Sequence, residues 1–302
     1  MKNTAFGNTG LTVSRLGYGA MEIRGPRVWN GRPTTDSEVE RILNTVLDAG
    51  INFIDTSSDY GESEAHIGLF LSHRRSEYTL ATKCGCFRTD KDDHDEITHV
   101  WTRENLLSNI ETSLRRLRTD HVDLLQLHNA PIEETDRAGL VDVLEDIRKS
   151  GKIRFYGASS VIPHLPAYIG RKVFHAFQIP YSAIDRQHED LISQAAASGA
   201  GTIIRGGVGQ GEPGKGRGDV DKWSLWEKAG LDELLEEGES RTAFMLRFTL
   251  SHPDIHTVIA GTKNPAHLLE NVAMAEKGAL LPDVYDEAKR RLAGAGETPA
   301  IP

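Results

Sequence analysis

A chain of 302 residues can bury a large core, and single α/β barrels reach this size, so residues 1–302 are read as one domain. With 44 acidic against 35 basic residues and a formal net charge of −9, the composition argues against a general nucleic-acid or membrane-surface binder. The opening MKNTAFGNTGLTV lacks the apolar run of a signal peptide and no stretch approaches the ~18 apolar residues of a membrane span, so a cytoplasmic protein is expected.

Asn3 to Val13 reads as a small N-terminal hairpin turning at Asn8, Thr9 and Gly10. Leu16 to Ala20 is the first apolar run able to enter a core. From Thr35 the period changes. Val39, Ile42, Leu43, Val46 and Leu47 recur at helical spacing, Thr35 and Glu38 are placed as a capping box, and Gly50 stops the helix. The strand FIDTS, Phe53 to Ser57, follows at once. Ser63 to Leu71 reads as a short helix and Tyr78 to Cys84 as a strand. Arg103 to Leu117 is a helix with Leu106, Leu107, Ile110, Leu114 and Leu117 on one face. Strands His121 to His128, Ile153 to Ser159, Ala176 to Tyr181, Thr202 to Ile204 and Thr257 to Gly261 complete the set. Helices at Gly139 to Ser150, Gln187 to Ala197, Arg241 to Ser251 and Pro265 to Ala275 fall between or after them.

About eight strand-like runs, mostly followed by helices, predict an α/β fold, a single (β/α)8 TIM barrel, with a doubly wound open sheet as the alternative. Polar residues gather at the C-terminal ends of many strands, as a ring of loops on one face requires, whereas an open sheet concentrates them at one switch point. Two connections exceed what joining needs: Phe87 to Thr102, with DKDDHDE, after the third strand, and Gly206 to Trp223 after the seventh. Loops of this length serve as lids or binding loops, and the acidic one reads equally as a solvated insertion. The tail from Ala293, AGAGETPAIP, reads as a flexible end. Cys84 and Cys86 are too few for a disulfide scaffold and lack CxxC spacing, so free thiols are expected.

The strand ends carry Asp55 with Tyr60 just beyond it, Lys83 in TLATKCG and His128 in DLLQLHN. In a barrel these ends converge on one pocket. A tyrosine of ordinary pKa ~10 is a poor acid at neutral pH, but an adjacent ammonium, here Lys83, lowers it by favouring the phenolate. Asp55 would hold Lys83 charged and in place, and His128 would hydrogen-bond to the phenol or a substrate oxygen. Together they make a proton donor for a developing alkoxide. Each residue also has a purely structural reading: Asp55 as a turn cap, Tyr60 as a wall, Lys83 as a solvated strand end, His128 as a core histidine. A barrel metal hydrolase using His94, His99 and His128 with Asp55 is a rival. It stands on poorer ground because His94 and His99 sit in the acidic loop and not on a strand end, so no metal is expected. Gly209 to Lys215 fits GxxxxGK, but Gly216 stands where Ser or Thr should bind magnesium, so these glycines read as a mobile flap.

LGYGAM, FIDTSSDYG followed by SEAHIG, TLATKCG, SLRRLRTDHVDLLQLHN, GKIRFYGASS and HLLEN follow the order and spacing of the aldo-keto reductases, and the chain resembles that family along nearly its whole length. The resemblance implies a (β/α)8 barrel that uses a nicotinamide cofactor to reduce a small carbonyl compound, aldehyde or ketone. It places the family's Asp, Tyr, Lys and His tetrad on Asp55, Tyr60, Lys83 and His128. The nicotinamide carboxamide falls at Ser159 and Ser160, the second a departure from the family's asparagine, with Gln178 at the sixth strand. Arg205 takes the place of a ring that stacks on nicotinamide, and Gly206, Gly207 and Val208 begin the loop over the pyrophosphate.

Gly261 to Asn271, GTKNPAHLLEN, offers an anion free N–H groups, a positive dipole end and Lys263. The family places the adenosine 2′-phosphate here, which makes Gly261, Thr262, Lys263, His267, Glu270 and Asn271 the implied contacts. NADP(H) is expected over NAD(H), by a smaller margin than two firm cations would give, since His267 and Gly261 replace a common arginine and lysine. Met21, Trp29, Phe87, Trp101 and Asn129 are the expected walls of the substrate pocket. An NADP(H)-binding sensor with little turnover is the alternative function, left open by Ser160 and Arg205.

Overall fold

The N-terminal segment folds back on itself as β1 (Asn3–Ala5) and β2 (Thr12–Ser14), an antiparallel pair around a short helical turn at Gly7–Thr9. In this computed structural model, which describes residues 1–300, the pair packs against one end of a closed parallel barrel. The rest runs β3 (Leu16–Gly19), α1 (Asp36–Asp48), β4 (Phe53–Asp55), α2 (Ser63–Leu71), β5 (Thr79–Cys84), β6 (Cys86–Asp90), β7 (Asp95–His99), α3 (Arg103–Leu117) and β8 (Val122–His128). It continues α4 (Ile132–Arg137), α5 (Leu140–Lys149), β9 (Ile153–Ser159), α6 (Leu165–Gly170), β10 (Ala176–Pro180), α7 (Glu189–Ala197) and β11 (Gly201–Arg205). Last come α8 (Val220–Lys228), α9 (Arg241–Ser251), β12 (Thr257–Ala260), α10 (Pro265–Lys277) and α11 (Pro282–Gly294). The barrel order is β3-β4-β5-β8-β9-β10-β11-β12, and β12 closes it by pairing with β3, Val258 opposite Leu16. Closure removes the edge an open sheet would keep, so the alternative architecture falls.

Local chemistry sets the boundaries that position the site. Thr35 Oγ1 accepts from Glu38 N at 3.3 Å while Glu38 Oε2 accepts from Thr35 N at 2.8 Å, and the helix so capped buries Val39, Ile42, Leu43, Val46 and Leu47. Its end hands the chain directly to β4. Inside the barrel, Phe6, Leu11 and Val13 from the hairpin pack with Phe53, Ala81, Leu124, Ala176 and Ile203, a core separate from the one between strands and helices. Gly201 is glycine because a Cβ there would sit 2.5 Å from the Phe6 ring.

Three expectations change. The acidic connection Phe87 to Thr102 is no simple loop: it contains the antiparallel hairpin β6–β7, with Cys86 opposite His99 and Asp90 opposite Asp95. Cations make this acidic hairpin stable. Arg27 and Arg88 meet the buried Asp95 at 3.2 and 2.8 Å, and Arg27 also holds Asp90 at 2.6 Å. The glycine-rich connection, read as a mobile flap, is here fastened on both sides: Arg217 Nη1 lies 3.1 Å from Glu22 Oε1, and Trp223 Nε1 donates to Gly209 O at 3.0 Å. The tail expected to be loose from Ala293 is ordered through Ala300. Ala293 and Gly294 finish α11, Arg186 N donates to Glu297, and Ala300 N donates to Gln187 O at 3.1 Å. Ile301 and Pro302 lie outside the described residues. Among the described residues no helix is long and apolar enough to cross a membrane.

Candidate active site

Asp55 ends β4, Lys83 lies next to the end of β5, and His128 ends β8, so three parallel strands deliver their polar groups to one rim. Asp55 is the hub. Its Oδ2 accepts from Lys83 Nζ at 2.6 Å, and its Oδ1 accepts from Gln126 Nε2 at 3.0 Å and Gln178 Nε2 at 2.8 Å. Lys83 Nζ also donates to Thr56 O at 2.8 Å, which matters because this ammonium is fully buried and an unpaired one would cost several kcal/mol. Burial alone would lower the lysine, but Asp55 and the nearby Tyr60 outweigh it and hold the group above its ordinary value.

Tyr60 reaches this pair from the turn after β4. Gly61 allows the turn: its φ is +46°, and a Cβ there would lie 2.2 Å from Arg24 O. The ammonium of Lys83 sits 4.9 Å from the Tyr60 ring centroid, and the His128 ring lies 6.1 Å away, edge-on at 76°. Lys83 pulls the phenol downward as the sequence implied, but burial wins and pushes Tyr60 up to about 12. The side chain keeps part of its surface at the pocket mouth, which tempers that rise. Tyr60 is thus a protonated phenol beside a cation, a donor and not a phenolate.

His128 Nδ1 faces Cys86 Sγ at 3.1 Å, Asp59 Oδ2 at 3.2 Å and Ser57 Oγ at 3.4 Å. Its Nε2 makes no hydrogen bond among the described residues and is free for a ligand. Burial pushes the Asp59 carboxyl up, but His128, Ser57 and Cys86 outweigh it and hold the group at about 2. The three are near without being aligned, and neither Asp59 oxygen has a well-aligned hydrogen-bond donor among the described residues. Burial and Asp59 push the Cys86 thiol well above its ordinary range, so it is no nucleophile.

The remaining expected residues fall into groups. Ser159 is buried at the end of β9, opposite His128, and Ser160 N donates to Gln178 O at 3.1 Å. Gln178 Nε2 is engaged by Asp55. Arg205 ends β11 with its Nε buried and without a partner among the described residues, and burial lowers its guanidinium while Tyr60, Asp185 and Asp55 act upward. Gly206, exposed at φ +73°, and half-buried Val208 start the strap that Arg217 fastens. Gly261 follows β12 where a Cβ would lie 2.7 Å from Gly19 O, which leaves no room for a lysine. Asn264 caps α10 by accepting from Ala266 N, Thr262 O accepts from Tyr18, and Lys263 Nζ rests on Pro33 O at 3.1 Å. His267 and Glu270 are exposed on α10, and Asn271 is half-buried.

At the mouth, buried Arg24 donates to Met21 O, Val28 O and Trp29 O, and so pins the loop that brings Trp29 to 5.9 Å from Tyr60. Trp101 fills the space over Gly85 and stacks on His99, Asn129 N donates to Ser159 O, and Phe87 is exposed on β6. The rival metal set does not assemble: His94 pairs with Asp93 on the exposed hairpin turn, and Asp55 is occupied by Lys83 and two glutamines. Gln126 was missed, although its place two residues before His128 puts it on the same inward face of β8. Asp59 and Cys86 were missed because their approach to His128 depends on a turn and a hairpin.

The pattern of the aldo/keto reductase family matches residues 15–291. NADH-specific methylglyoxal reductase of Escherichia coli (strain K12) is 28% identical over 311 residues, covering 90% of this chain and 93% of that one. L-galactose dehydrogenase of Arabidopsis thaliana is 28% identical over 287 residues, covering 89% and 86%. Among solved structures, the holo form of aldo-keto reductase AKR11C1 from Bacillus halodurans superposes with a TM-score of 0.83 at 27% identity, covering 96% of each chain. The closed barrel, the strand-end tetrad and this match along the whole barrel agree: the chain belongs to the aldo/keto reductase family of NAD(P)H-dependent oxidoreductases.

Proposed function

We propose that this enzyme reduces a small aldehyde or ketone to the alcohol, with Tyr60 as proton donor and NADPH preferred to NADH. The observation that carries the reading is the buried Asp55–Lys83 pair, 2.6 Å between Oδ2 and Nζ, lying 4.9 Å from the Tyr60 ring centroid with His128 edge-on beside it. The residues present fit a dinucleotide: among the described residues Arg205 keeps a buried Nε without an acceptor, and Lys263 stands just before the start of α10.

A nicotinamide, when bound, would supply the hydride for the carbonyl carbon. Tyr60 releases its proton to the carbonyl oxygen as negative charge builds there, and the Lys83 ammonium stabilises the phenolate left behind. Asp55 keeps Lys83 charged and placed, and the free Nε2 of His128 orients the oxygen. A phenol at about 12 keeps its proton at neutral pH, the state that reduction requires.

Lys263 supports the preference for NADPH. Its present partner is a main-chain carbonyl, which a phosphate outcompetes because the bond becomes charge-assisted on both sides. The test is initial-rate oxidation of NADPH and NADH against aldehydes, ketones and sugars, with methylglyoxal and L-galactose, the compounds in the two relatives' names, in the panel. Carbonyl-dependent NADPH oxidation is expected, and Lys263→Ala should lower kcat/KM for NADPH by roughly tenfold while leaving NADH within about twofold. Equal effects on both cofactors would remove the preference. Tight cofactor retention with no turnover on any carbonyl would favour the sensor alternative.

A further inference from the structure

Asp59, Cys86, His99 and His128 each present one ligand atom, and the four atoms lie within 4.8 Å of one another. They come from separate elements, each fixed for its own reason. Asp59 sits in the turn before Tyr60, Cys86 and His99 are register partners closing β6–β7, and His128 ends β8. Two features of this cluster are unexplained by the reductase chemistry. First, a single nitrogen, His128 Nδ1, is approached by the Cys86 thiol at 3.1 Å, the Asp59 carboxylate at 3.2 Å and the Ser57 hydroxyl at 3.4 Å, although it has one lone pair or one proton to offer. Second, both oxygens of Asp59, a residue 1% exposed, are buried with no well-aligned hydrogen-bond donor among the described residues, although the His128 ring lies 3.2 Å away. A buried carboxylate left in this way is costly unless a cation satisfies it.

We propose that Asp59, Cys86, His99 and His128 form a binding site for one tetrahedral divalent cation of the zinc class. A tetrahedral ion with bonds of about 2.0–2.3 Å separates its ligand atoms by roughly 3.3–3.8 Å, so the observed 3.1 and 3.2 Å contacts open slightly and a pair at the 4.8 Å bound closes by about 1 Å. One sulfur, two imidazoles and one carboxylate are the ligands of zinc and its congeners, not of magnesium or calcium. Binding converts the Cys86 thiol to a thiolate and releases its proton to solvent. Thiolate and carboxylate then balance the two positive charges, and the filled cluster is neutral.

The surroundings are built to hold such a set. Trp101 stacks on His99 at 5.4 Å and 18°, fixing the imidazole plane, and Asn109 Nδ2 donates to Cys86 O at 3.0 Å, fixing the strand start. Four protein ligands leave no open position, so the ion is not a Lewis acid for the carbonyl. It ties the β6–β7 hairpin to the end of β8, and by occupying Nδ1 it commits His128 to carrying its proton on Nε2, the nitrogen free for substrate.

The test uses the full chain, stripped with a chelator and titrated with Co(II) and then Zn(II). One equivalent of Co(II) should give a thiolate-to-cobalt charge-transfer band in the near ultraviolet and the intense visible bands of a tetrahedral ion, and one equivalent of Zn(II) should abolish both. Cys86→Ser should lose the charge-transfer band, and His99→Ala, a change on the exposed hairpin that keeps the fold, should weaken zinc by about tenfold or more. Cys84→Ser, whose thiol faces Gln126 O and not the cluster, should bind as the parent does. A weak octahedral cobalt spectrum, an unchanged band in Cys86→Ser, or unchanged zinc affinity in His99→Ala would overturn the site. The readout needs no turnover, so its failure leaves the reductase reading standing, and Tyr60→Phe should keep the cobalt spectrum intact.

Discussion

Lys83 is the residue at which the proposed chemistry and the fold meet. It is fully buried, and its counter-ion Asp55 is buried with it. Lys83→Met leaves that carboxylate without a cation, supported only by the amides of Gln126 and Gln178. A loss of roughly 3–5 kcal/mol of stability is expected, measured by urea denaturation. The double variant Asp55→Asn with Lys83→Met should be more stable than Lys83→Met alone, because an amide tolerates burial without a charge. Equal stabilities would show that the pair is not coupled. At this scale the tetrad was legible because each member stands at or near a strand end, where a barrel gathers its reactive groups. Asp59 and Cys86 were not: an aspartate in a serine-rich turn and a thiol after Gly85 carry no period that points them at His128.

The clamp between elements lies at the other end of the strands. Asp123 on β8 accepts from Arg75 and from Leu80 N on β5 through Oδ2, and from Arg154 on β9 through Oδ1. Burial pushes its carboxyl up, but Arg75, the Leu80 N–H and Arg154 outweigh burial and hold it below the ordinary value. A carboxyl held lower in the folded than in the unfolded chain stabilises the fold above the unfolded value, and that contribution is lost as pH falls through the folded one. Asp123→Asn should therefore lose about 2 kcal/mol at neutral pH and show a shallower decline in stability below about pH 4, read from thermal melts across acid pH. A parallel acid-side profile would contradict this.

Elements with a long apolar face were readable, as α1 and α3 show. The hairpin β6–β7 was hidden by DKDDHDE, because the arginine that neutralises Asp90 and shares Asp95, Arg27, lies far back in sequence. The six-residue α4 and α6 are too short to establish a helical period. By contrast, α11 showed Pro282 at its start and Ala288 and Leu292 buried at helical spacing, a signal that the glycines near its end obscured.

For the whole molecule, the barrel followed from counting strand and helix alternation, and its closure from where the polar residues fell. The way its interior is plugged did not, since nothing in NTAFGNTG shows that Phe6 turns inward to pack with Phe53, 5.8 Å between ring centroids. Phe6→Ala should cost roughly 3–5 kcal/mol, measured by chemical denaturation, and leave the distant reactive rim working in the folded fraction. A loss below about 1 kcal/mol would mean that the hairpin does not seal the core.

In the proposed reaction, one barrel rim brings together a protonated tyrosine, a buried cation and an orienting histidine to reduce a carbonyl. The measurement closest to that claim is the single-turnover rate of Tyr60→Phe with NADPH, alongside a fluorescence titration of cofactor binding. The variant should bind NADPH as the parent does and lose about a hundredfold to ten-thousandfold in carbonyl reduction. Reduction at the parental rate with phenylalanine in place would contradict the role given to Tyr60.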